Sequence, residues 1–237
     1  MTNDSVEIII HGCGAMAIEL AMYINDVTHH SENSDKKLIV TDIVSSEFSR
    51  ADDIQNVLGY SVSFHSSITN IDRFAEKKSI ISIGTALTVK QKRSEIKAAG
   101  GKFITIIHPS AVVSSLANIG QGVIVAPFVF IGPFSNIGDN AIINVHSTIG
   151  HDVSIGSGAV ISPHVDVNGE SSIGEYTFLG AGVVVDPRTN IGRYCKISSG
   201  TVIKKDISDG ILAFDRESPK SVKMFSSEDG KSLLSKQ

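Results

Sequence analysis

From Ile119 to Ile203 one pattern of apolar and polar positions repeats every six residues without a slip. An aliphatic residue opens each hexad, in register from Val113 and Ile119 through Ile143 and Ile149 to Ile197 and Ile203. The second position is mostly glycine (Gly120, Gly132, Gly138, Gly150, Gly156, Gly174, Gly180, Gly192), and the fifth is small or β-branched, as at Val123, Ser135, Ser147 and Thr177. A period of six is the mark of a parallel β-helix, in which three hexads close one triangular coil. Side chains alternate along a strand, so the first and fifth positions face inward and the third and fourth face outward. Residues eighteen apart then stack at roughly 4.8 Å. The small second position is expected to let the backbone bend at each corner.

Ahead of the repeat the pattern changes. Val6–Ile10 reads as a buried strand, His11-Gly12-Cys13-Gly14 as a turn, and Ala15 to Val27 as a helix with apolar residues near helical spacing. Further strands are expected at Leu38–Ile43, at residues 60–64 and at Ser79–Ile83, the last leading into Gly84-Thr85. Val89–Ala99 reads as an amphipathic helix stopped by Gly100-Gly101, and Lys102–Ile107 as a last strand running straight into the hexads. Strands alternating with helices imply a small parallel, Rossmann-like α/β sheet. The expected organisation is an α/β domain over 1–106, a β-helix over 107–208, and a C-terminal cap and tail over 209–237.

At 237 residues, 41% hydrophobic and 19% charged, the composition is that of an ordinary globular protein. A net charge of −4 gives no support for nucleic-acid or anionic-membrane partners. Cys13 and Cys195 form no metal-ligand spacing and no disulfide framework. No apolar run has the length of a membrane span, and the expectation is a cytoplasmic protein without a membrane or metal partner.

Outward-facing positions of a solenoid are free to do chemistry, and His146, His151, Asp152 and His164 occupy them. His146 and His164 are eighteen apart and should stack on adjacent coils. Asp152 follows His151 directly; a carboxylate beside an imidazole fixes its tautomer and raises its basicity, which suits a general base. A solvated surface pair is the plain alternative. Gly12-Cys13-Gly14 opens a helix as in nucleotide-binding turns but lacks the third glycine, so a phosphate site with Asp42 near a sugar stands level with a purely structural turn.

An α/β domain followed by a hexapeptide prism resembles the sugar acyltransferases grouped with sialic acid O-acetyltransferase and the nucleotide-4-amino-sugar N-acetyltransferases. The segment Ile143-Asn144-Val145-His146-Ser147-Thr148-Ile149-Gly150-His151-Asp152-Val153-Ser154-Ile155-Gly156 is similar to that family's active-site stretch, where a histidine followed by Glu or Asp is catalytic. The resemblance implies a left-handed prism, a homotrimer with acetyl-CoA in the groove between prisms, and work in bacterial surface-glycan synthesis. It implies His151 as general base with Asp152 polarising it. It also implies cofactor contacts at Gly169, Ala181 and Ser199, and a nucleotide-sugar substrate at Gly14, Ala15, Met16, Ala17, Asp42 and Gly84. The chain departs from the family at Ala15-Met16-Ala17, at Val160 where a second histidine is usual, and at Phe214-Asp215-Arg216-Glu217-Ser218-Pro219 near the end. Alternative readings are a sialic-acid-like sugar O-acetyltransferase, a zinc enzyme similar to γ-class carbonic anhydrases through His146 and His151, and a non-catalytic sugar-nucleotide sensor.

Overall fold

A computed structural model describes residues 4–30 and 36–214. The α/β half runs β1 (Asp4–His11), α1 (Ala15–His30), β2 (Lys36–Val44), α2 (Ala51–Leu58), β3 (Ser63–His65), β4 (Lys78–Ile81), α3 (Ala86–Ala98) and β5 (Lys102–Phe103). Its five strands are all parallel, in the order β3-β2-β1-β4-β5. The chain reverses direction across the sheet at β1, so the crevice between the ends of β1 and β4 is the place where such sheets accept ligands. Ile8, Ile10, Ile43 and Ile80 are fully buried against Leu20 and Ile24 of α1. Helix α2 was not apparent in the sequence; its polar Asp52, Asp53, Gln55 and Asn56 hide the two residues, Ile54 and Leu58, that it buries.

The hexads form the left-handed parallel β-helix expected. Two-residue strands stack into three faces of seven, six and five strands. First positions (Ile131, Ile143, Ile149) and fifth positions (Val123, Ala141, Ser147) are buried and fill the prism. The register is the expected eighteen, as in Ile131 beside Ile149 and Ile149 beside Val167.

Two expectations change. The bend falls at the fourth position, not the second: Phe128, Asn140, His146, Asp152, His164, Tyr176 and Tyr194 all have φ between 55° and 60°. Glycine stands at the second position because the next coil lies against it; a Cβ on Gly138 would come within 2.5 Å of the Ser157 nitrogen. The stretch 102–107 is two strands rather than one. Lys102–Phe103 completes the α/β sheet and Ile106–Ile107 starts the seven-stranded face. Between them Thr105 donates its hydroxyl to the Gly120 carbonyl.

Parallel pairing continues past residue 208, with Leu212–Ala213 beside Lys196–Ile197. The tail beyond, including the departure from Asp215 to Pro219, lies outside the described residues.

The prism has three corners, named here for a residue each carries. The Tyr176 corner stacks Gly122, Asn140, Gly158, Tyr176 and Tyr194; the His146 corner stacks Phe128, His146 and His164; the His151 corner carries Phe134, Asp152, Glu170 and Arg188. The α/β half lies against the seven-stranded face. Lys90 and Arg93 of α3 reach Tyr194 (2.9 Å) and Asp139 (2.8 Å) at the Tyr176 corner, and Asp26 of α1 meets His108 (3.1 Å) at the foot of the His146 corner. The His151 corner is the one opposite that face.

Candidate active site

His151 Nδ1 lies 2.8 Å from Asp152 Oδ2. The carboxylate accepts, so Nδ1 carries the proton and Nε2 keeps its lone pair. Both side chains are open to solvent, at 57% and 51% exposure, so the pair is accessible to a substrate. Its value lies in setting the tautomer; an exposed pair adds little stability. The left-handed backbone of Asp152 (φ 56°) turns its side chain back onto the imidazole, and aspartate tolerates that region better than most residues.

The imidazole lies over Gly169, one coil further on. A Cβ on Gly169 would stand 2.6 Å from Nε2 and 2.8 Å from Cε1 of His151. Glycine is therefore required for the histidine to occupy this position. The Gly169 N–H makes no backbone hydrogen bond among the described residues, whereas the neighbouring Glu170 N–H is bonded to the His151 carbonyl at 3.0 Å. The eighteen-residue offset was the signal for this contact; sequence reasoning had placed Gly169 at the cofactor alone.

His146 stands in different surroundings. Its ring stacks between Phe128 (4.9 Å, 16°) and His164 (5.1 Å, 4°). The expected stack of His146 and His164 is present, on a corner separate from His151. Ala181 and Ser199 continue up that same corner, exposed, so the three residues expected at the cofactor occupy the two corners that bound the six-stranded face. Val160 is buried on the seven-stranded face.

At the N-terminal turn Gly12 is structural. Its φ is 124° and a Cβ would meet the Ser82 carbonyl at 2.8 Å. Gly14 has open space beside it, Ala15 is exposed, and the Met16 methyl comes within 3.6 Å of a Cβ built on Gly84. Ala17 is fully buried in the core. Asp42 is 5% exposed and already partnered by Lys77 (2.6 Å), Thr41 (2.6 Å) and His65 (2.9 Å). Burial alone would raise its carboxyl pKa; the hydrogen bonds and the Lys77 charge outweigh that and hold it below the usual carboxylate range. The structure thus gives Asp42 an internal occupation. His11 is also internal: burial, with Lys92 adding to it, lowers its pKa from 6.5 to about 3, and its Nε2 bonds Ser79 while the buried Nδ1 has no partner among the described residues.

Residues 170–205 match the family model described as bacterial transferase hexapeptide (six repeats). Perosamine N-acetyltransferase from Caulobacter crescentus, crystallised as a histidine-to-asparagine variant with CoA and GDP-perosamine, is 28% identical. That likeness covers 88% of this chain and 93% of that one, with a TM-score of 0.77. The acetyltransferase domain of PglB from Neisseria gonorrhoeae FA1090 shares the fold at 24% identity, covering 88% and 96% of the two chains with a TM-score of 0.77. No curated protein sequence matches significantly. A prism of hexads with an α/β domain on one face is the architecture this chain shares with these hexapeptide-repeat acyltransferases. Within that class the chain is related to the nucleotide-sugar N-acetyltransferases, of which the perosamine enzyme is one.

Proposed function

We propose that this chain transfers the acetyl group of acetyl-CoA to the amine of a nucleotide-linked amino sugar. The observation that carries this reading is the open His151–Asp152 pair seated on Gly169, in a chain that aligns along nearly its whole length with the perosamine enzyme. His151 Nε2 accepts a proton from the acceptor amine as the nitrogen attacks the thioester carbonyl. Asp152 stabilises the imidazolium that results. The Gly169 N–H, without a backbone partner among the described residues, donates to the carbonyl oxygen as it gains charge. Collapse breaks the C–S bond, and the imidazolium returns its proton to the departing thiolate. The amide forms, CoA leaves as thiol, and no acyl-enzyme is needed. Ala181 and Ser199 are small and exposed, and suit a long, thin donor lying along the prism.

The working unit is a homotrimer. His151 stands on the corner opposite the α/β half, so the crevice of the same chain does not serve it, and a second copy must bring its crevice to that corner. The six-stranded face beside His151 carries an exposed apolar patch of Val112, Leu116, Phe128, Phe130 and Phe134, all 43% exposed or more. Monomers rarely leave such a patch uncovered. Among the described residues no helix is long and apolar enough to cross a membrane. With acetyl-CoA as donor, the reaction belongs in the cytoplasm.

Release of free thiol from acetyl-CoA, measured with GDP-, UDP- and dTDP-linked 4-amino sugars and with free sialic acid, tests the reading. Release with one nucleotide-linked amine, and amide in the product, supports it. Ester formation on sialic acid, or no release across the panel, overturns it.

A further inference from the structure

Glu170 follows Gly169 and stands one coil beyond Asp152 on the His151 corner. The register puts it there: Thr148 lies beside Asp166 and Ile149 beside Val167, and the Glu170 N–H bonds the His151 carbonyl at 3.0 Å. Its φ of 61° nearly repeats the 56° of Asp152. In that conformation the Asp152 side chain turns back over the residue before it and reaches the His151 imidazole. A Glu170 side chain turned back in the same way passes over Gly169, which has no side chain of its own. The space a Cβ would take there is held by the imidazole, with Nε2 2.6 Å from that point. The corner thus gives one carboxylate to Nδ1 of His151 and brings a second, longer by one methylene, to the side of Nε2.

The fold makes no other use of this second carboxylate. Glu170 is exposed, and among the described residues its side chain makes no hydrogen bond and no ion pair, even with Arg188 at the same position one coil further on. Its chemical value follows from counting hydrogens on the attacking atom. A neutral amine has two N–H groups and a lone pair. With the lone pair on the thioester carbon, it can donate one N–H to His151 Nε2 and the other to a second acceptor. A hydroxyl has a single O–H, which goes to the base. A carboxylate beside that oxygen would then face lone pairs and lose its water without gaining a donor, which disfavours the hydroxyl.

We propose that Glu170 sets the choice of acceptor atom: its carboxylate accepts the second N–H of the amino group, turns the nitrogen lone pair onto the thioester, and rejects a hydroxyl at the same place. The inference rests on the transfer reading above and adds a specificity-determining residue to it. The proton lost on attack still goes to His151 Nε2 and from there to the departing thiolate. Glu170 keeps its hydrogen bond to the N–H that remains in the amide product, so it neither gains nor loses a proton in the cycle.

The test is steady-state transfer by the intact protein to GDP-, UDP- and dTDP-linked 4-amino sugars, with the matching 4-hydroxy sugar nucleotides added as inhibitors. Glu170→Asn shortens and neutralises the side chain and suits the left-handed backbone; Glu170→Gln keeps an oxygen that can accept. Loss of a hydrogen bond to a charged group predicts a fall of about tenfold to a hundredfold in kcat/KM for the amine in Glu170→Asn, and a smaller fall in Glu170→Gln. The 4-hydroxy compound should inhibit Glu170→Asn more strongly than it inhibits the wild type, a gain that a merely structural residue would not produce. KM for acetyl-CoA and thermal unfolding should keep their wild-type values. Amine transfer and inhibition unchanged in both variants would overturn the role of Glu170 while the transfer reading stands. No thiol release by the wild type with any of the amines would overturn both.

Discussion

His146 and His151 are five residues apart, both exposed, on the same repeating scaffold, and yet only one has a carboxylate bonded to its ring among the described residues. His146 sits at a fourth position, in the left-handed region, clasped between the rings of Phe128 and His164. Among the described residues its ring has no hydrogen-bonded carboxylate to fix a tautomer. His151 sits at a third position, bonded to Asp152 through one nitrogen, with the other over a glycine. Exposure alone therefore does not make a base. The corner supplies the carboxylate from the next residue and the space from the next coil, and both follow from the six-residue period.

The widest separation is expected from removing the two rings in turn. His151→Ala should lower turnover by about 10² to 10⁴, the usual contribution of a positioned base. His146→Ala should leave turnover within about twofold by the same reasoning, and equal losses in the two would erase the distinction. Gly169→Ala tests the seat. The added methyl must push the imidazole by the better part of an ångström, and a fall of about 10² in kcat is expected, with KM for acetyl-CoA near the wild-type value. A cofactor contact at Gly169 would instead raise KM and spare kcat. Asp152→Asn replaces the charged carboxylate with a neutral amide that can donate as well as accept, so the tautomer is no longer held; a loss of roughly tenfold to a hundredfold in kcat is expected, with the pH–rate profile displaced, and an unchanged profile would discard its role. The smallest effect should come from Phe128→Ala. It opens the His146 stack and should cost about 1 kcal/mol in unfolding free energy, read from denaturant titration.

The prism was legible because its rule is local and repeated. Ile131, Ile149 and Val167 face inward for the same reason, and each confirms the register of the others. The His151–Asp152 pair was legible because its partners are neighbours in sequence. The α/β half gives no such redundancy: α2 shows too few apolar residues to reveal a period, and the two strands within 102–107 read as one. Asp42 was expected at a sugar because it ends a strand, and only the fold brings Lys77 and His65 to it. The Gly169 seat and the Tyr176–Tyr194 stack are both eighteen-residue relations, visible in principle once three hexads are read as one coil. What the period could not reveal was which face the α/β half covers.

The most direct test is turnover of acetyl-CoA and the activated amino sugar by His151→Ala, measured without and with added imidazole. The account predicts a deep loss that free imidazole partly restores in proportion to its concentration, with no such gain in the wild type. Turnover near the wild-type rate without imidazole would contradict it, and would move the proton acceptor away from this corner.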